Sequence, residues 1–199
     1  MRLAIFASGR GSNFGALLRA KADGKLPAAE FVALVSDKET ASALGIAREN
    51  NIVAIHVSPK NFPTREAYEA EILKQLEPLK IEGICLAGYM RLVGKILLDA
   101  FPYRILNIHP ALLPSFPGAH AHRDTLTYGA KISGCTVHFV DAGVDTGPII
   151  LQRSVPVLDD DTEDSLAARI LIQEHQAYPE AVDLFTRNLL RVEGRRVIR

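Results

Sequence analysis

Five short apolar runs, Leu3–Ala7, Phe31–Ser36, Val53–Val57, Gly83–Ala87 and Ile105–Ile108, recur through the first half of the chain with helix-period segments between them. A short continuous apolar run is what a strand buried on both faces requires. Strand and helix in alternation imply parallel strands joined by crossover helices, a doubly wound α/β sheet. The helical segments are Ser12–Ala22, with Phe14, Leu17 and Leu18 on one face, then Ser42–Asn51, Thr64–Lys80 and Gly94–Ala100. Thr64, behind Pro63, is placed to cap the third.

The rhythm changes near residue 110. A loop rich in Pro and His spans His109–His122, a longer strand Lys131–Val140 follows, and another strand, Pro148–Val155, comes after a Gly-containing turn. This half reads as mixed or antiparallel. A long helix is expected from Asp161 or Thr162, with Pro179 kinking or dividing it. Leu190–Ile198 is expected to add an edge strand. No repeat or composition shift marks a domain boundary, so one domain is expected.

Lys plus Arg equals Asp plus Glu, 23 against 23. That balance disfavours nucleic acid or a membrane surface as the main partner. No apolar stretch approaches the roughly 20 residues that span a bilayer. The N-terminal apolar run is too short for a signal peptide. Cys85 and Cys135 both lie in strand-like runs, which suits reduced, buried thiols and a cytoplasmic location.

Three segments carry chemistry. Ser8-Gly9-Arg10-Gly11-Ser12-Asn13 joins the first strand to the first helix, where glycines admit a close ligand and the helix offers an anion site. It is neither a dinucleotide fingerprint nor a P-loop; a tight turn capped by Ser fits the same residues. In Leu106-Asn107-Ile108-His109-Pro110, strand alternation puts Asn107 and His109 on one side. An amide that stabilises an oxyanion and an imidazole that moves a proton suit acyl transfer to a substrate nucleophile; a satisfied core His and a turn Asn also fit. In the turn after Val140, Asp145 would favour the imidazolium of His109 and raise its pKa, or would cap its own backbone. His120 and His122, with His109 and Asp124, could ligate a metal, but they fall in a Pro-Gly loop, and no metal is expected.

Taken together, Gly11-Ser12-Asn13, Leu86-Ala87-Gly88-Tyr89-Met90-Arg91, Asn107-Ile108-His109-Pro110-Ala111-Leu112-Leu113-Pro114, His138-Phe139-Val140 with Asp145 and Gly147, and Gln173-Glu174-His175 resemble the folate-dependent formyltransferase family, in order over nearly the whole chain. The resemblance implies a Rossmann-like formyltransferase domain over residues 1–199. Residues 1–105 would form a nucleotide-phosphate half, and 106–199 a catalytic and folate-binding half. The implied reaction moves a formyl group from 10-formyltetrahydrofolate, a co-substrate, to the amine of glycinamide ribonucleotide in purine biosynthesis. The absence of a large C-terminal addition favours that acceptor over methionyl-tRNA.

By the same resemblance Asn107, His109 and Asp145 are catalytic, and Gly11, Ser12, Asn13 and Glu174 hold the ribonucleotide. The formyl folate would meet Arg65, Met90, Arg91, Leu92, Val93, Leu98, Asn107 and the loop Asp141, Ala142, Gly143, Val144 and Asp145. Partners are small molecules, with the chain a monomer or homodimer. The sequence departs from the family at Ala142, often acidic, and at Leu171, where a polar residue occurs. Two other readings are hydrolysis of formyltetrahydrofolate and a non-catalytic nucleotide- or folate-binding module. A proton relay argues against the latter, since simple binding needs none.

Overall fold

The computed structural model describes residues 1–199. Strands β1 (Arg2–Phe6), β2 (Glu30–Ser36), β3 (Val53–His56), β4 (Gly83–Leu86) and β5 (Ile105–His109) alternate with helices α1 (Ser12–Ala22), α2 (Ser42–Glu49), α3 (Arg65–Leu76) and α4 (Lys95–Ala100). After β5 come α5 (Ala121–Tyr128), β6 (Ile132–Phe139), β7 (Ile149–Pro156), α6 (Glu163–Thr186), β8 (Arg191–Glu193) and β9 (Arg196–Ile198). All nine strands form one sheet in the order β3-β2-β1-β4-β5-β6-β7-β9-β8. The first five are parallel. β6 runs antiparallel to both β5 and β7. The expected doubly wound sheet with a mixed second half is the observed one.

Both faces of the parallel part are covered, which is why its strands read as unbroken apolar runs. Leu3 and Ile5 of β1 pack with Phe14, Leu17, Tyr178 and Phe185 in one core. Their neighbours Ala4 and Phe6 pack with Tyr68, Ile72, Leu76 and Leu97 in another. Strand order reverses between β1 and β4, so the loops leaving them diverge and open a crevice.

Thr64 caps α3, its hydroxyl accepting from the Ala67 amide. Three differences from the sequence reading are physical. The His109–His122 loop gives way to α5, a short helix whose large apolar residues never form a stripe; Tyr128 is 81% exposed. α6 passes through Pro179 as one helix. Its buried residues Tyr178, Ala181 and Val182 join the core on both sides of the proline, and packing prevails over the lost hydrogen bond. The tail forms a two-stranded hairpin, β8–β9, rather than one strand.

Tyr178 ties α6 to the sheet. Its buried hydroxyl donates to the Leu86 carbonyl at 2.7 Å and lies 3.3 Å from the Leu106 carbonyl. Those carbonyls belong to β4 and β5, the strands that lead into the crevice. Tyr178→Phe should therefore lower stability by about 1–2 kcal/mol, read as a lower urea midpoint at unchanged m-value. An unshifted midpoint would show that this bond contributes nothing.

Candidate active site

Three loops meet at the crevice. The first follows β1. Gly11 takes a left-handed backbone (φ 77°) as the N-cap of α1, and no side chain caps that helix. A Cβ on Gly11 would lie 2.9 Å from the Cβ of Ala43, so a larger residue is excluded by both space and backbone. A Ser-capped turn is thus ruled out, and the first-turn amides of α1 remain available to an anion. Asn13 turns inward, its Nδ2 donating at 2.8 Å to Oε2 of Glu174 on α6. Burial pushes the Glu174 carboxyl above its usual range, with the Asn13 bond opposing. Asn13 Oδ1, also buried, has no partner. The four residues assigned to the ribonucleotide therefore cluster, with Asn13 joining the loop to α6.

The second loop follows β4, and the third follows β6. Together with the end of β5 they enclose a cavity of about 750 Å³. Its walls include every residue assigned to the formyl folate: Arg65, Met90–Val93, Leu98, Asn107 and 141–145. Gly88, Lys95, Tyr103 and His138 line it too, none of them assigned to the folate from sequence. The walls cross the boundary drawn at residue 105. Ala142 is on the wall, where an acidic side chain would reach the cavity; Leu171 is not. Gly11–Asn13 stand beside the cavity rather than in it. Ser8 links the two regions, its Oγ accepting from the Met90 amide at 2.9 Å and donating to Asp37 at 2.6 Å.

At the floor of the cavity the antiparallel register sets Asn107 directly opposite His138. The loop after β6 folds back over this pair and delivers Asp145, itself in a left-handed conformation (φ 53°). Asp145 Oδ2 accepts from the Gly118 amide at 2.8 Å and lies 3.3 Å from Nδ1 of His109. Oδ1 lies 3.4 Å from Asn107 Nδ2 and 3.6 Å from His138 Nε2. Asn107, His109 and Asp145 thus converge. Among residues acting at this floor, sequence reasoning missed His138. His138 stood in the family motif without a role, and nothing short of the strand pairing could place it against Asn107.

Hydrogen bonds assign the donors. His138 Nδ1–H donates to the Phe139 carbonyl at 2.8 Å. Its Nε2 lone pair then accepts one amide hydrogen of Asn107, at 3.1 Å. The other amide hydrogen has only the long approach to Asp145 and is free for a better acceptor. His109 Nε2–H donates to the Phe116 carbonyl at 2.8 Å, which leaves Nδ1 facing Asp145.

Burial pushes the Asp145 carboxyl up, but His138, the Gly118 amide and both imidazole charges outweigh it and bring the pKa to about 2. His109 goes the other way from the sequence expectation. Burial is the largest influence and lowers its pKa below the ordinary value, while Asp145 and the Phe116 carbonyl recover only part of the loss. A carboxylate was visible in the sequence; the desolvation of a His with 4% exposure was not. No three His, Cys, Asp or Glu side chains come together as a metal-binding group.

A family model described as formyl transferase matches residues 1–182. The chain is 41% identical over 181 residues to phosphoribosylglycinamide formyltransferase of Bacillus subtilis, covering 91% of this chain and 92% of that one. It is 43% identical over 191 residues to the trifunctional purine biosynthetic protein adenosine-3 of Drosophila pseudoobscura pseudoobscura, covering 96% of this chain and 14% of that protein. The chain thus spans about one seventh of that trifunctional relative. The crystal structure of glycinamide ribonucleotide transformylase 1 from Symbiobacterium toebii superposes with a TM-score of 0.97 at 48% identity, covering 100% of this chain and 93% of that one.

Asp145→Asn removes the charge that supports the His109 imidazolium. Its pKa should fall further, read by NMR titration of the ring protons; a rise would contradict the geometry described. The carboxyl is depressed in the folded state, so its contribution to stability is present above about pH 4, the usual carboxylate range. That contribution is lost as pH falls toward about 2. Asp145→Asn should lack this part of the acid loss.

Proposed function

The chain belongs to the formyl transferase family, and from that premise we propose that it transfers a formyl group from 10-formyltetrahydrofolate to the amine of glycinamide ribonucleotide. The observation that carries this reading is the convergence of Asn107, His109 and Asp145 on one cavity floor. A cavity of about 750 Å³ whose walls mix apolar residues such as Leu92, Val93 and Leu98 with polar ones such as Arg91, Asn107 and Asp141 suits a pterin with its aromatic extension. The α1 N-terminus beside it suits the ribonucleotide phosphate.

In the proposed mechanism the acceptor amine attacks the formyl carbon, and a new C–N bond forms as the carbonyl oxygen becomes an oxyanion. The free Nδ2–H of Asn107 donates to that oxygen, while His138 holds the amide in place. The attacking nitrogen now carries a proton it must lose, and folate N10 must gain one to leave. His109, neutral because burial depresses its pKa, accepts the proton on Nδ1 through a bridging water. Asp145 stabilises the imidazolium formed. Return of the proton to N10 as the C–N10 bond breaks yields the formylated ribonucleotide and tetrahydrofolate. The nucleophile comes from the substrate, so the protein supplies donors and a proton carrier.

Gly11, Ser12 and Asn13 would cradle the phosphate, with Glu174 toward the same ligand. Arg65, Met90–Val93, Leu98 and 141–145 would hold the folate. No helix is long and apolar enough to cross a membrane, and both cysteines are free and buried. We place the protein in the cytoplasm, acting on small molecules as a monomer or homodimer.

Asn107→Ala should lower kcat by about 10²–10³, the usual cost of an oxyanion donor, with KM for either substrate changed little. His109→Ala should lose turnover in the same way. The wild type's kcat/KM should fall at acid pH with an ionisation below the ordinary His value of about 6.5. Consumption of formyl folate must depend on glycinamide ribonucleotide. Equal consumption without it would mean that water is the acceptor, and unchanged kcat in Asn107→Ala would remove its assigned role.

A further inference from the structure

Outside the cavity walls, α3 carries a buried acid that the proposed mechanism does not use. Glu69 is 2% exposed. A carboxylate so placed must be compensated by hydrogen bonds or opposite charge. Its oxygens are compensated by backbone amides: Oε1 accepts from Gly94 at 2.5 Å, and Oε2 from Leu97 at 3.4 Å. It therefore holds the first turn of α4 from a neighbouring helix. Gly94 is wedged. A Cβ there would lie 2.7 Å from Glu69 Oε1 and 2.8 Å from Arg65 Nε. Gly94 and Arg65 both line the cavity.

The segment between β4 and α4 has no regular secondary structure, yet it presents Met90 and Leu92, 67% and 60% exposed, on the cavity wall. Such a segment keeps its shape only through its anchors. At its start, the Met90 amide donates to Ser8 and the Tyr89 hydroxyl meets that of Tyr68 at 2.7 Å. Midway, the Arg91 guanidinium lies over the Tyr68 ring, 5.4 Å from its centre. At its end stands Glu69. Tyr68 and Glu69 are consecutive on α3, so one helix secures both the beginning and the end of the wall.

We propose that Glu69 is a positioning residue for formyl-folate binding, fixing Gly94 and the start of α4 and thereby the wall formed by residues 88–94. This rests on the reading of the cavity as the folate site. The ribonucleotide loop is held by other contacts, Gly11 against Ala43 and Asn13 to Glu174. Loss of Glu69 therefore acts on one substrate and spares the other.

Steady-state kinetics of the whole protein, with each substrate varied in turn, test this. In Glu69→Ala the KM for 10-formyltetrahydrofolate should rise about tenfold or more, because two buried amides lose their acceptor and the wall relaxes. KM for glycinamide ribonucleotide and kcat at saturation should stay within about threefold, since neither the phosphate loop nor the reacting groups are touched. Glu69→Gln keeps one acceptor oxygen for the Gly94 amide and should recover most of the loss. Glu69→Asp keeps the charge but draws it back by one methylene. It should also raise the folate KM, and it serves where the alanine variant does not fold. Wild-type protein that turns over no formyl folate would defeat the functional reading itself. An active wild type with an unchanged folate KM in folded Glu69→Asp, or equal rises for both substrates, would overturn the positioning role.

Discussion

The site depends on one carboxylate placed where four donors or potential donors can reach it. Asp145 meets the Gly118 amide, His109, His138 and Asn107, drawn from three separate stretches of chain. Without it the two imidazoles would be neighbours with no shared anion, and the Asn107 amide would have no second restraint. Its backbone lies in the left-handed region, at φ 53°, a conformation that costs energy in a residue other than Gly. The flanking Asp141 offsets part of that cost. Its Oδ1 accepts from the Gly143 amide at 3.1 Å and from the Thr146 hydroxyl at 2.6 Å, so the turn is held from within.

The sheet makes this convergence possible because β5 borders two kinds of pairing. Toward β4 it is parallel, and its C-terminal end belongs to the crevice at the reversal of strand order. Toward β6 it is antiparallel, and that register sets Asn107 opposite His138 and His109 opposite Thr136. Thr136 in turn fixes the chain beyond His109. Its hydroxyl donates to the Ala111 carbonyl at 2.6 Å and accepts from the Leu113 amide at 3.0 Å. A wholly parallel sheet would supply the crevice without the cross-strand His, and a wholly antiparallel one would lack the helix N-terminus beside it.

Much of this was legible in the sequence because it is local. The five parallel strands announced themselves through unbroken apolar runs, and Asn107 and His109 through a two-residue spacing. Features that depend on pairing or burial were not legible. His138 needed a partner strand. Glu69 sits among ordinary charged positions of α3, and only the fold reveals that it faces inward to cap another helix. The helix at 121–128 has little apolar stripe to betray it. His109 illustrates the point most sharply. Its neighbouring Asp145 argues for a raised pKa, and the desolvation that reverses the direction belongs to the packed molecule.

That reversal bears on what the site can do. An imidazole already charged in the resting protein could donate to a carbonyl, but it could not take the proton that the attacking amine must shed. A neutral one can accept it, and the adjacent carboxylate, held at about 2, is always ready to stabilise the ion formed. In the proposed mechanism burial and charge act at different moments: burial favours the neutral ring before attack, and Asp145 makes its protonation tolerable afterward. The Asn107 amide needs no proton exchange at all in that mechanism, since it would stabilise the oxyanion as a fixed dipole. The division of labour follows from the β5 face that Asn107 and His109 share, with Asp145 brought to it by the loop after β6. In the proposed reaction a substrate amine and a formyl carbon brought to that face would meet a donor on one side and a proton acceptor on the other.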